Sequence, residues 1–327
     1  MSVAPGSEVV EGSGAAARWA LAGALGGVAL GAILLVAAAL KALDPHLFAE
    51  EIASQRAGFG LPPLLAAYVA LGVETALGSA LVLNLRRLPV LVAATLLVAF
   101  FLFLTGRFAW QAAHGEVDPA SSCGCFGSLV ERTPGEAFVQ DLAMLVPTLA
   151  LAWTGRAGAR RSVKARAVVA GAATFGLVGF AVAAPGLPLD DWATRLRPGV
   201  ELAELCAGAG DARVCLPDVA AELAEGSHLV VIAADEPGFA DLASRLNAYV
   251  RSGAEPPVAV LADLTAEQLQ AIYWEHAPAF ELHETPQALL RPLYRRLPRS
   301  FAVERGRVTA TWNGLPPALT RDPTPNP

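Results

Sequence analysis

The sequence predicts a mainly α protein: a polytopic membrane helical bundle, a four-helix core plus a fifth transmembrane helix, followed by an α/β extracytoplasmic domain. Three observations carry this. Hydrophobic residues make up 54% of the chain and charged residues only 17%, with a mean hydropathy of +0.46, more apolar than soluble domains usually are. The apolar residues gather in five nearly uninterrupted runs, at 18–41, 62–84, 88–110, 137–154 and 166–187. From about residue 200 onward the chain alternates between strand-like and helix-like segments of ordinary polarity.

Each run spans ~17 to 25 residues, which at about 1.5 Å rise per residue crosses a hydrocarbon core of roughly 30 Å. The first is too long for a signal peptide, and Glu8 and Glu11 precede it with only Arg18 as a base, so it reads as a retained helix. The expected organisation is a cytoplasmic N-terminal tail at 1–17 and a four-helix membrane domain at 18–155. A basic cytoplasmic loop with the fifth helix follows at 156–188, then a linker at 189–199, a soluble domain at 200–316 and a disordered proline-rich tail at 317–327.

Short cytoplasmic loops are enriched in Lys and Arg. Arg156, Arg160, Arg161, Lys164 and Arg166 cluster between the fourth and fifth runs without an acidic residue, which sets that loop inside. Alternation then puts the N-terminus and Arg86-Arg87 inside, and the loop after the third run and the whole soluble half outside. The expected location is a bacterial inner (cytoplasmic) membrane, with all four cysteines in the oxidising compartment. A net charge of −6 offers no basic face for nucleic acid, so the expected partners are membrane lipid and an extracytoplasmic thiol protein.

The loop after the third run reads Ser121-Ser-Cys-Gly-Cys-Phe-Gly127. Cysteines at i and i+2 can approach within bridging distance, and Gly124 supplies the backbone angles that so small a ring needs. Loop entropy gives about 1.6 kcal/mol for a three-residue ring and about 2.7 kcal/mol for a ten-residue ring such as Cys206 to Cys215. Cys123 and Cys125 therefore make a weak staple and a reactive pair. Two other uses stay open: pinning the loop, or holding a soft ion such as Cu(I) together with His114. A tetrahedral zinc site lacks its four ligands, and no resident metal is expected.

Arg107 at the end of the third run or protonated His114 would favour the thiolate. Asp141, early in the fourth run, is a candidate ion-pair partner for Arg107. Glu74 lies deep in the second run, where a carboxylate is costly and points to function. It either hydrogen-bonds, protonated, within a small-residue face marked by Gly72 and Gly78, or relays a proton to or from a membrane quinone.

Lys41, Asp44 and Phe48 after the first run, Glu74 with Gly78, Gly115 before Cys123-Gly-Cys-Phe-Gly127, and Gln140-Asp141 together resemble the MauE family of methylamine-utilisation membrane proteins, relatives of the DoxX group. The resemblance covers about residues 20–155. It implies a four-helix membrane bundle serving thiol–disulfide chemistry, with a broad likeness to DsbB and VKOR oxidoreductases, and a role in maturing a disulfide-rich periplasmic dehydrogenase subunit.

In the soluble half, 228–234 and 257–262 read as strands buried on both faces. A helix is expected over 239–251, and Thr265-Ala-Glu-Gln268 is a capping box opening another. The segments 300–303 and 307–312 flank Glu304-Arg-Gly306 as a hairpin. This β-α-β-α-β-β order resembles a thioredoxin-like fold, with Pro298 at the place of its cis-proline. The usual Cys-x-x-Cys after the first strand is absent, since Asp235-Glu-Pro-Gly238 stands there. Cys206 and Cys215 form either a structural disulfide or a redox relay with Cys123 and Cys125.

The expected function is a membrane thiol–disulfide oxidoreductase or electron relay with a quinone as candidate acceptor. The alternative is a non-catalytic assembly or copper-handling protein whose soluble domain binds a client.

Overall fold

The structure is a computed structural model that describes residues 9–116, 133–154, 163–208, 213–234 and 238–320. The chain divides into two compact units that part between Leu187 and Pro188.

The first unit consists of α1 (Val9–Leu43), α2 (Pro45–Ser54), α3 (Pro63–Val82), α4 (Leu88–Ala113), α5 (Pro134–Ala152) and α6 (Val163–Ala183). Five of these, all but α2, are long and apolar enough to cross a membrane. The start of α5 falls three residues ahead of the apolar run, because Thr133 and Glu136 form a reciprocal capping box and Pro134 occupies the first turn. Hydropathy does not reveal α2: it has ten residues, two of them glutamates, and begins where the Asp44 carboxylate accepts from the Leu47 amide at 3.1 Å.

Helix α1 packs between α3 and α5, α5 packs on α4, and α6 lies against α3. Close approach of α1 and α3 depends on Gly31 and Gly78. A Cβ at Gly78 would stand 2.9 Å from Leu35 Cγ and 3.0 Å from the Gly31 carbonyl oxygen. Small residues at such a crossing bring backbones together where lipid supplies no hydrophobic drive. Gly78→Val is expected to destabilise the first unit by about 1–3 kcal/mol, read as a lower unfolding midpoint in detergent. The fourth side of the bundle differs, since α3 and α4 meet only sparsely. At the opposite end from α2, Arg86 Nη1 donates to the Thr154 carbonyl at 2.9 Å and Nη2 to the Ala20 carbonyl at 3.3 Å, tying α1 to the end of α5.

The second unit runs α7 (Asp190–Ala193), β1 (Cys206–Ala207), β2 (Val214–Cys215), α8 (Leu216–Val219), β3 (Ser227–Ala233), α9 (Phe239–Arg251), β4 (Val258–Ala262), α10 (Ala266–His276), β5 (Glu281–Glu284), α11 (Gln287–Leu290), β6 (Arg299–Glu304), β7 (Arg307–Asn313) and α12 (Pro317–Thr320). Its main sheet has the order β5-β4-β3-β6-β7, with β3, β4 and β5 parallel and β6 and β7 antiparallel. Side chains alternate across β3: Val230 and Ile232 join Leu202, Leu223 and Phe301 on one face, whereas Leu229 and Val231 join Phe239, Leu246 and Ile272 on the other. Both faces are covered, which is why β3 and β4 read as continuous apolar runs. The turn between β6 and β7 places Arg305 and Gly306 at positive φ, as a two-residue hairpin turn requires.

Three expectations about this half change. The linker at 189–199 is part of the fold: Asp190 and Leu196 are buried within it. The tail expected to be disordered from 317 opens with α12, held because Leu319 packs among the residues around α9. A fifth strand, β5, extends the sheet; its Glu-Leu-His-Glu sequence lacks the apolar run of the central strands because it is an edge.

Candidate functional site

Glu74 lies within α3 and is 1% exposed, and its carboxylate has a partner that periodicity does not reveal. Lys41, in the last turn of α1, brings Nζ to 2.6 Å from Glu74 Oε1 while itself 3% exposed. The ammonium also faces two aromatic rings, Phe48 of α2 at 4.7 Å and Phe101 of α4 at 5.1 Å from their centroids. A buried ion pair needs every remaining polar atom satisfied to offset its desolvation. Glu74 Oε2 is buried and has no hydrogen-bond partner among the described residues.

Beside the pair lies a cavity of about 230 Å³ in the gap between α3 and α4, covered by α2. Lys41 and Glu74 are its polar end, and Phe48, Phe100, Phe101 and Leu104 line much of the rest. Its rim includes Phe59, Val69 and Val73, side chains exposed on the outside of the bundle. The small-residue face expected to bond Glu74 serves packing instead, with Gly78 against α1 and Gly72 toward Val178 of α6.

Residues 19–154 match the family model of the methylamine utilisation protein MauE. The match covers less than half of the chain and ends before α6. No curated protein and no solved structure matches the chain. Within the MauE-like region, Lys41, Glu74 and Phe101 are far apart in sequence and converge on one cavity.

Arg107 and His114, at the end of α4, make contacts of their own. Arg107 is near the end of α4, and its Nη1 lies 3.5 Å from the Gln55 carbonyl oxygen, reaching toward the end of α2. His114 ends α4 with Nδ1 2.8 Å from the Trp110 carbonyl and its ring 4.2 Å from the Trp110 ring. Because a carbonyl only accepts, that nitrogen carries the proton. Asp141 is buried in α5. Cys123, Gly124 and Cys125 lie outside the described residues.

In the second unit Cys206 and Cys215 form a disulfide that joins directly paired positions of β1 and β2. Cys206 is buried and Cys215 half-buried. Arg213 Nη2 lies 3.3 Å from Cys206 Sγ, and Arg195 Nη1 donates to the Cys206 carbonyl at 2.8 Å. The Leu297–Pro298 peptide is cis and leads into β6. Sequence reasoning also missed a cluster of Glu222, Glu281 and His283, in which His283 Nε2 stands 2.6 Å from Glu222 Oε1.

Proposed function

We propose that this chain is a membrane thiol–disulfide oxidoreductase or electron relay, in which Cys123 and Cys125 exchange with extracytoplasmic thiols and Cys206–Cys215 is a second thiol pair. The observation that carries the reading is the cysteine usage. All four cysteines fall in two close pairs, one in a Cys-Gly-Cys loop of the MauE-like region and one bridged beside a guanidinium. The basic loop at 156–166 supports a topology that places both pairs outside a bacterial inner membrane with the N-terminus inside.

Exchange proceeds by attack of a thiolate on one sulfur of a disulfide. The attacked sulfur joins the new mixed disulfide, the other leaves as a thiolate, and a second thiol then resolves the pair. At Cys206–Cys215 the half-buried Cys215 is the accessible sulfur, and Arg213 beside Cys206 Sγ stabilises the leaving thiolate. The β7-β6-β3-β4 core of the sheet supports a thioredoxin-like fold for this unit. The likeness to methylamine utilisation proteins suggests a disulfide-containing client of that pathway.

Thiol mapping by mass spectrometry, with alkylation before and after graded reduction, tests the reading. Cys123–Cys125 should open at a mild potential; a Cys206–Cys215 bridge that resists reduction would be a staple and not a second redox pair. Replacing Cys123 or Cys125 by serine should abolish oxidation of an added dithiol peptide, and unchanged turnover in both variants sinks the proposal. The missing Cys-x-x-Cys after β3 favours a second reading, a client-binding assembly or copper-handling protein. Copper that copurifies with the wild type and is lost from the Cys123→Ser/Cys125→Ser protein would mark the copper-handling form.

A further inference from the structure

We infer that the cavity between α2, α3 and α4 is a binding site for the ring of a membrane quinone, with Lys41 and Glu74 as its polar contacts. The inference rests on the redox reading only for the source of electrons; the site itself stands on geometry. Glu74 Oε2 is a buried acceptor without a partner among the described residues, and Glu74 lines the cavity. An unsatisfied carboxylate oxygen in a low-dielectric interior is costly unless a ligand donates to it. Lys41 carries three N–H donors, one of which is directed to Glu74 Oε1. The pocket therefore offers an acceptor and a donor side by side at one end of an apolar, phenylalanine-lined space.

That combination suits a planar ring whose oxygens alternate between carbonyl and hydroxyl. In the quinone form a ring oxygen accepts from Lys41 Nζ; in the quinol form a ring hydroxyl donates to Glu74 Oε2. The electron balance closes with the dithiol as reductant. Two thiols become a disulfide as one S–S bond forms, releasing two electrons and two protons, and the ring takes both as its two carbonyls become hydroxyls. A volume of about 230 Å³ is smaller than the roughly 300–1,000 Å³ of sites that enclose whole drug-sized ligands. It fits a substituted ring and leaves an isoprenoid tail outside. The exposed apolar rim at Phe59, Val69 and Val73 provides the way out, because these side chains face lipid in a membrane-spanning bundle. The sparse contact between α3 and α4 leaves that path open.

The test is binding of decylubiquinone to the purified full chain in nanodiscs, by equilibrium titration. Wild type should bind saturably. Glu74→Gln keeps the shape of the side chain but removes the charge, and should weaken binding of the reduced ring roughly ten- to a hundredfold. Val73→Trp narrows the rim without touching the ion pair and should weaken binding of both forms while leaving the unfolding midpoint near wild type. The Cys123→Ser/Cys125→Ser protein should bind like wild type, so loss of turnover there with retained binding separates this site from the thiol chemistry. No saturable binding by wild type overturns the site, as does wild-type affinity in both Glu74→Gln and Val73→Trp. A phospholipid retained by the wild type in native mass spectrometry and absent from Val73→Trp also overturns it.

Discussion

Replacing Glu74 by leucine is expected to destabilise the membrane unit by about 3–5 kcal/mol, seen as a marked fall of the unfolding midpoint in detergent, because it leaves Lys41 buried without a counter-charge. Lys41→Met should cost a similar amount by isolating the carboxylate. The double variant Lys41→Met/Glu74→Leu should recover most of the loss, since burying two charges is offset by their attraction only when the remaining polar atoms are satisfied, and Glu74 Oε2 is not. Apolar replacements fit a pocket already lined by Phe48 and Phe101. Additive losses in the double variant would show that the two residues act independently. A restored midpoint has a functional corollary: a pair that leucine and methionine can replace for stability is retained for another reason. The restored protein should still fail to bind decylubiquinone.

Much of this architecture is legible in the sequence, for reasons that differ by region. The five long helices follow from apolar runs that a bilayer demands, although α1 and α6 begin ahead of their runs, at Val9 and Val163, and α5 begins early at its Thr133 cap. The helix at 239–251 is placed to the residue because its amphipathic face is sharp and turn residues flank it. Helix α2 is invisible to hydropathy, yet it builds the cover of the cavity. The site was half legible. Glu74 announces itself by its cost in an apolar run, but nothing in the periodicity pairs it with Lys41, which reads as an ordinary base at the end of a helix. The pairing depends on the Gly31–Gly78 crossing, a property of two helices together. A rule that matches each charge inside an apolar run with an opposite charge in a neighbouring run would have found it. The short β1–β2 pair escaped for another reason: strands of two residues have no period, and only the cysteines mark them.

Asp190→Ala is the change expected to cost most in the C-terminal unit, about 3–5 kcal/mol. Arg299, first residue of β6, is 1% exposed; its Nη2 donates to Asp191 Oδ1 and to the Leu196 carbonyl, each at 2.9 Å. Its Nη1 stands 3.4 Å from Asp190 Oδ1, and Asp190 Oδ2 accepts from Asn313 Nδ2 at 2.7 Å. These contacts fasten α7 to β6 and β7, next to the segment that carries Pro298. Burial pushes the Arg299 guanidinium below its ordinary value, while Asp190 and Asp191 hold it up. A base whose folded pKa is lowered adds stability only as pH rises through that value, and for arginine this lies far above any working pH, so Arg299 itself contributes no pH dependence. Removing Asp190 takes away a buried counter-charge, whereas Glu201→Ala at the exposed Glu201–Arg307 pair should cost under about 1 kcal/mol. Hydrogen exchange on the full chain separates the two, with Asp190→Ala speeding exchange across β6 and β7 and Glu201→Ala leaving it near wild type. If both variants behave alike, the Arg299 cluster is not what holds this end of the sheet.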